Sequence, residues 1–192
     1  MMAKRTARGR AMGDMTIERM DADTFLDWCT RQEGRYELVD GVPRMMVGAR
    51  KAHDRAVRHG LSALDRKLRG GPCEPFTEAI GVRIPDGNVR RPDILVDCGR
   101  GDPDLLHADK PVLVVEVLSP TNRQADLIHK VAEYQRVPSI AHILLVAPDE
   151  PAGLLHTRGD GDTWSMQALI GPDAPIALPA LGISLALSDF YE

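Results

Sequence analysis

The period of hydrophobic and polar positions changes several times along this chain, and each change marks an element. Residues 21–32 (DADTFLDWCTRQ) gather Phe25, Leu26, Trp28 and Cys29 for burial, and Asp21 or Asp23 can cap a short helix there. In residues 36–47 (YELVDGVPRMMV) two extended runs flank Asp40-Gly41, a strong two-residue hairpin signal. From 52 to 69, Val57, Leu61, Leu64 and Leu68 recur at helical spacing, and Gly70-Gly71 ends the run. Stretches 79–87 and 88–98 read as strands that pair as a hairpin about Pro85-Asp86-Gly87. PVLVVEVLS (111–119) is nearly continuous in β-branched residues, the pattern of a strand covered on both faces. A helix over 122–136 follows, with Thr121 and Gln124 as a capping box and Pro138 beyond its end. Residues 140–148 form a second buried strand. Strand, helix and strand at this spacing imply a right-handed parallel crossover. Residues 154–169 read as a hairpin with a polar tip at Gly159–Gly161. The reading is a single domain over 15–192 behind a flexible basic tail, 1–14, carrying Lys4, Arg5, Arg8 and Arg10.

Composition narrows the class. A chain of 192 residues that is 43% hydrophobic and 27% charged can bury a sizeable core and is neither disordered nor fibrous. No apolar run has the length of a membrane helix. Cys29, Cys73 and Cys98 are odd in number and contain no C-x-x-C pair, so the expectation is no disulfide framework, no structural zinc and a reducing cytoplasm. Aromatic residues are only 4%, which argues against a stacking platform for single strands. The net charge of −4 is unevenly spread: residues 1–96 carry +4 and residues 97–192 carry −8. A basic half can face a polyanion, or it can be a solvated surface with a basic tail.

The candidate chemistry begins with Glu116, which lies inside Val-Leu-Val-Val-Glu-Val-Leu and by alternation shares a face with Val112, Val114 and Leu118. A carboxylate there needs a cation, or it is a structural ion pair or a protonated glutamate. Asp93 follows Pro92 and opens the apolar stretch Ile94-Leu95-Val96. If 88–98 and 111–119 are neighbouring strands, Asp93 and Glu116 converge, and two such carboxylates suit magnesium or manganese. Asp97, four residues on, is expected to be solvated at the strand end. Lys130 falls within or beside the helical stripe Leu127, Val131 and Tyr134. It either snorkels to solvent or faces Glu116, where an ammonium can orient a water or stabilise charge growing on phosphorus.

Arg91-Pro92-Asp93 followed by Glu116-Val117-Leu118-Ser119-Pro120 resembles the PD-(D/E)XK nuclease signature. With Glu37-Leu38-Val39-Asp40-Gly41, Arg90-Arg91-Pro92-Asp93, Val114 to Pro120, and Asp126 through Lys130 to Tyr134, the chain is similar over about residues 34–150 to the Uma-two family of restriction endonucleases. The resemblance implies an α/β (α+β) fold with a restriction-endonuclease-like core, a mixed central β-sheet flanked by helices, often dimeric. It implies a DNA endonuclease in which Asp93, Glu116 and the Val117 carbonyl hold Mg²⁺ (Mn²⁺ substituting) and a metal-activated water attacks the phosphodiester. Glu37 resembles an additional acidic residue able to reach the metal; the other reading is an exposed strand glutamate. The lysine of the signature, two residues after the glutamate, is Leu118 here, and Lys130 takes its role.

The expected partner is double-stranded DNA, engaged by a homodimer without membrane or organic cofactor. Arg50, Lys51, His53, Arg55 and Arg58, near the start of the second helix, are candidate phosphate contacts, or else a solvated helix face. Two other functions fit the same residues: a scaffold that keeps the fold without turnover, and a hydrolase of another phosphate ester.

Overall fold

The computed structural model describes residues 19–99, 101–119 and 124–191. The basic tail and Thr121 of the expected capping box lie outside these residues. In chain order the elements are α1 (Ala22–Cys29), β1 (Tyr36–Val39), β2 (Val42–Met45), α2 (Lys51–Leu68), β3 (Glu74–Thr77), β4 (Val82–Arg83), β5 (Val89–Arg90), β6 (Ile94–Asp97), β7 (Pro111–Val117), α3 (Gln124–Gln135), β8 (His142–Val146), β9 (Ala152–Arg158), β10 (Trp164–Ile170), β11 (Pro175–Leu178) and β12 (Ile183–Ala186). Short 3-10 turns span Asp160–Asp162, Pro179–Leu181 and Leu187–Phe190.

Six strands form the central sheet in the order β10-β9-β8-β7-β6-β3. Only β7 and β8 run parallel; every other pair in it is antiparallel. The sheet is therefore mixed, and its parallel step is the strand–helix–strand unit expected over 111–148. β7 is buried along its whole length because both its faces are covered. Leu113 and Val115 point to a cluster with Ala63, Leu64 and Leu68 of α2. Val114 points the other way, to a cluster with Tyr134 of α3. A second sheet, β2-β1-β5-β4, is small and packs against α1 through Phe25, Leu38 and Val89. The pair β11-β12 completes the α2 side with Ile176, Leu178 and Leu185.

Local chemistry accounts for the boundaries. Asp21 caps α1 by accepting from the Thr24 N–H at 2.8 Å. Asp40 (φ 52°) and Gly41 (φ 76°) make the left-handed turn that joins β1 to β2. The expected hairpin around Pro85-Asp86-Gly87 forms, but only as the short pair β4–β5. The second strand, expected to run unbroken over 88–98, is divided: β5 joins the small sheet and β6 the central one. Pro92 sits at the break and has no N–H to continue a ladder. The Arg91 side chain fastens the junction, donating to the carbonyls of Tyr36 (2.9 Å), Glu78 (3.2 Å) and Ala79.

One further expectation is corrected. Cys73 and Cys98 are bonded, overturning the absence of a disulfide expected from their odd count. Glu74 pairs with Asp97 across β3 and β6, so the next residues outward are the two cysteines, a proximity that spacing in sequence does not show. The cysteines therefore no longer argue for a reducing compartment. Asp97 stands half-buried at the strand end, and its carboxylate accepts from the N–H groups of Gly99 (3.1 Å), Asp109 (2.9 Å) and Lys110 (2.7 Å), tying down the loop before β7. Among the described residues no helix is long and apolar enough to cross a membrane.

The seam between α2 and the C-terminal 3-10 turn rests on a glycine. A Cβ at Gly60 would lie 2.2 Å from Cε1 of the buried Phe190 ring. Helix propensity favours alanine over glycine by about 1 kcal/mol, but overpacking a filled core costs about 1–3 kcal/mol. Gly60→Ala is expected to lower stability in urea denaturation, and Phe190→Leu in the same chain to recover part of the loss. A more stable Gly60→Ala protein would show that the Phe190 ring yields freely.

Candidate active site

The division of strand 88–98 builds the site. In the β6–β7 pair Ile94 lies opposite Val115, which brings Asp93 beside Glu116 at one end of the sheet. Asp93 Oδ2 accepts the Val117 N–H at 2.7 Å, so its carboxylate is oriented by the same strand that carries Glu116. β5, on the other side of Pro92, pairs with β1 and brings Glu37 in from the small sheet. α3 crosses over the face of β7 that bears Glu116 and supplies Lys130 and, one turn later, Tyr134.

These residues meet. Lys130 Nζ lies 3.0 Å from Glu37 Oε1 and 3.3 Å from Glu116 Oε1. Tyr134 donates its hydroxyl to Glu116 Oε1 at 2.7 Å. Glu116 and Lys130 are both largely buried, so Lys130 does not snorkel to solvent. Glu37 is buried as well, and is not the exposed strand glutamate that its position near a turn allowed. It has three donors: the Arg91 N–H at 3.0 Å, Arg90 Nη1 at 3.2 Å and Lys130.

Behind Glu37 the polar chain continues. Arg90 Nε donates to Glu133 Oε2 at 2.5 Å, and Asn88 Nδ2 donates to Glu133 Oε1 at 2.6 Å. Among the described residues every buried side-chain nitrogen and oxygen has a partner, as a stable buried network requires.

The electrostatics follow from burial and charge count. Burial pushes the Glu116 carboxyl up to about 7; Lys130 opposes the shift, and the like charges of Asp93 and Glu37 add to it. Burial disfavours the Lys130 ammonium, but Glu116 and Glu37 outweigh it and hold the pKa well above the ordinary lysine value. The Glu37 carboxyl would also rise on burial, yet Lys130, the Arg91 N–H and Arg90 bring it below the usual glutamate range. Burial, and then Glu116, raises the Tyr134 hydroxyl far above its usual value, so it stays a donor. Lys130 and Glu37 are therefore charged at neutral pH, while Glu116 holds its proton more tightly than an ordinary glutamate.

The basic group expected on α2 separates into three parts. His53 leaves it altogether: Nε2 lies 3.2 Å from Asp93 Oδ2, and that hydrogen bond raises the imidazole pKa. Arg50 pairs with Asp149 at 2.7 Å and Arg58 with Asp54 at 3.2 Å, both on the surface. Lys51 and Arg55 are exposed and, among the described residues, have no carboxylate partner. A cavity of about 760 Å³ lies at the far end of β6, walled by Cys73, Glu74, Asp97 and Asp109, and none of the candidate residues lines it.

Tyr134, Arg90 and Glu133 were not singled out as site residues by sequence reasoning. Periodicity presents Tyr134 as part of an apolar stripe, although its place one turn after Lys130 puts both on one helix face. A glutamate beside that stripe and an arginine before Pro92 were the available signals for the Arg90–Glu133 pair.

The donor set can be tested against the divalent cation that the resemblance implies. Asp93 and Glu116 supply hard carboxylate oxygens side by side, and the burial and like charges that raise the Glu116 carboxyl are the ones a divalent cation would offset. Among the described residues no group of three or more His, Cys, Asp or Glu side chains is placed to hold a metal ion. Magnesium usually keeps several waters and takes only one or two carboxylates, so two carboxylates and a backbone carbonyl fit it, and a dedicated protein cage is not required.

Comparisons with known proteins agree with this architecture. The model of the Uma2 family, described as "Putative restriction endonuclease", matches residues 22–188. A protein of Synechocystis sp., "Uncharacterized protein slr1290", is 30% identical over 178 residues, covering 91% of this chain and 92% of that one. The crystal structure of "a putative nuclease belonging to DUF820" from Anabaena variabilis superposes with a TM-score of 0.69 at 17% identity, covering 86% of this chain and 96% of that one. At that identity the likeness concerns the fold, a restriction-endonuclease-like core.

The raised Glu116 pKa has a signed consequence for stability. A carboxyl whose pKa rises on folding holds its proton more tightly in the native state. Its contribution is full below the ordinary value of 4.5 and is lost as pH climbs through about 7. In chelator-treated protein, Glu116→Gln removes this dependence, keeps an acceptor for Tyr134 and leaves Lys130 its bond to Glu37. Its stability advantage over wild type is expected to grow between pH 4.5 and 7 and level off on the order of 3 kcal/mol. Denaturation at several pH values measures the gap, and a pH-independent gap would show that Glu116 does not titrate there.

Proposed function

The chain belongs to the Uma2 family, and from that premise we propose that it is a divalent-cation-dependent endonuclease that hydrolyses phosphodiester bonds of DNA. One observation carries the reading: Asp93 and Glu116 meet at the end of β6–β7, with the Lys130 ammonium 3.3 Å from Glu116. Asp93, Glu116 and the Val117 carbonyl would hold Mg²⁺, or Mn²⁺ in its place. Bound there, the cation would acidify a water and screen the phosphate's charge.

The chain's own residues do the rest. The Val117 N–H fixes the orientation of the Asp93 carboxylate, and Tyr134 does the same for Glu116. Lys130 is protonated at neutral pH, so it acts as a hydrogen-bond donor and not as a base. Its place is to orient the attacking water or to stabilise negative charge growing on the phosphorus centre. Glu37 holds that ammonium in position. Lys51 and Arg55, at the start of α2 and two residues either side of His53, would hold the substrate backbone in this reading. Two-fold pairing of the chain would serve the two strands of a duplex, with one site per strand.

Supercoiled plasmid with Mg²⁺ or Mn²⁺ is the direct assay. Asp93→Asn and Glu116→Gln are expected to abolish nicking while the fold survives, and wild-type nicking by either variant would sink the assignment. Cleavage of simple phosphate esters but not plasmid would favour a different esterase. Metal binding with no cleavage of either would favour a scaffold.

Lys130→Met is expected to fold, because Glu37 keeps Arg90 and Glu116 can take up a proton. Cleavage should fall on the order of 10²-fold or more with Mn²⁺ affinity retained. Leu118→Lys added to Lys130→Met should restore part of the rate if both positions reach the same water. Full activity of Lys130→Met alone would refute the migrated lysine.

The salt dependence of DNA affinity separates the two halves of the basic group. Neutralising Lys51 and Arg55 should flatten the slope of log K against log salt by about 2. Neutralising Arg50 and Arg58, each already paired with an aspartate, should change it less. Equal effects from both pairs would show that the surface ion pairs open on binding.

A further inference from the structure

His53 lies on the α2 side of the carboxylate pair, and no step proposed above uses it. It occupies the third position of α2, and its side chain is only 13% exposed. Nε2 meets Asp93 Oδ2 at 3.2 Å, and Asp93, the Val117 backbone and the Glu116 carboxylate all favour the charged ring. Those three residues, Asp93, Val117 and Glu116, are the ones assigned to the divalent cation. Oδ2 already accepts the Val117 N–H, so the ring takes its remaining lone pair, and a cation bridging Oδ2 and Glu116 must take that lone pair from the ring.

We propose that His53 occupies the cation position of the metal-free protein, and that Mg²⁺ or Mn²⁺ must displace its ring from Asp93 to bind. The ring is thus a placeholder for the metal and not a ligand. It satisfies Asp93 while the cation is absent, so that the carboxylate stays oriented by Val117 and needs no rebuilding when the metal arrives. The apparent metal affinity is lowered by the fraction of molecules in which the ring holds the site. This inference rests on the nuclease reading for the identity of the metal-holding residues, but it makes a claim about binding that does not depend on turnover.

The test is calorimetric titration of Mn²⁺ alone into the full chain, at one pH and ionic strength, for wild type, His53→Ala, His53→Asn and Glu116→Gln. Removing the placeholder should tighten Mn²⁺ binding by about tenfold, the worth of a charge-assisted hydrogen bond that no longer has to be broken. Glu116→Gln should weaken it. In parallel, proton NMR of the wild-type His53 ring during a Mg²⁺ titration should show its resonances moving in step with saturation, which keeps the test valid should a His53 variant fail to fold. Weaker binding by His53→Ala would make His53 a ligand and overturn the proposal. Unchanged affinity, or a ring that does not move with Mg²⁺, would overturn it as well. In these cases wild type still binds metal and the nuclease reading stands. Absence of Mn²⁺ binding in wild type and in both His53 variants would instead remove the metal site itself, and with it both readings.

Discussion

Lys130 places its ammonium between two carboxylates that come from different sheets, Glu37 on β1 and Glu116 on β7. That single group ties the small sheet, the central sheet and the crossover helix together at one point. Taking it out of water is expensive, and attraction to two carboxylates offsets the cost only if their remaining lone pairs are also satisfied. Arg90, the Arg91 N–H and Tyr134 satisfy them, and Glu133 and Asn88 in turn satisfy Arg90. A buried network of this kind does little for net stability compared with an apolar core, but it permits only one arrangement of its members. Its retention beside an acidic pair is what a site needs and a plain core does not.

The consequence is a division of roles among acidic groups of similar chemistry. Glu37 meets three donors and stays ionised as the counter-ion of Lys130. Glu116 sits deeper, shares one donor with Glu37, and has its carboxyl raised to about 7. Asp93 lies at the sheet end, 17% exposed, facing both Val117 and His53. Environment thus separates a carboxylate committed to Lys130, Arg90 and the Arg91 N–H from two that stand side by side at the sheet end. The gradient runs from the buried Arg90–Glu133 pair outward to the start of α2, where Lys51 and Arg55 meet solvent.

The backbone break at Arg91-Pro92-Asp93 is what makes the convergence possible. A continuous strand over 88–98 would have carried residues 89–97 in one sheet. By ending the ladder at Pro92, the chain contributes Arg90 to the small sheet and Ile94 to the central one, with Asp93 at the corner. The motif Arg90-Arg91-Pro92-Asp93 is therefore a structural device as much as a set of chemical groups. Arg90 anchors the network, Arg91 pins the junction to three carbonyls, Pro92 stops the pairing, and Asp93 faces the site.

Much of this was legible in the residues themselves. The 3.6-residue spacing of Val57, Leu61, Leu64 and Leu68, the β-branched run 111–117 and the Asp40-Gly41 turn report local geometry, so the chain yields those elements without a structure. Strand alternation put Glu116 on one face with Val112 and Val114, and helical spacing put Lys130 beside the stripe that holds Tyr134, but whether that lysine turned to solvent or to Glu116 was left to the packing of α3 on β7. Asp93 beside Glu116 needed only that two strands be neighbours. What tertiary structure decided was every partner set by sheet membership and not by period. Glu37 reaches Lys130 across 93 residues, His53 reaches Asp93 across 40, and Cys73 meets Cys98 because β3 happens to flank β6. Periodicity says which way a side chain points; only the order of strands says what it meets.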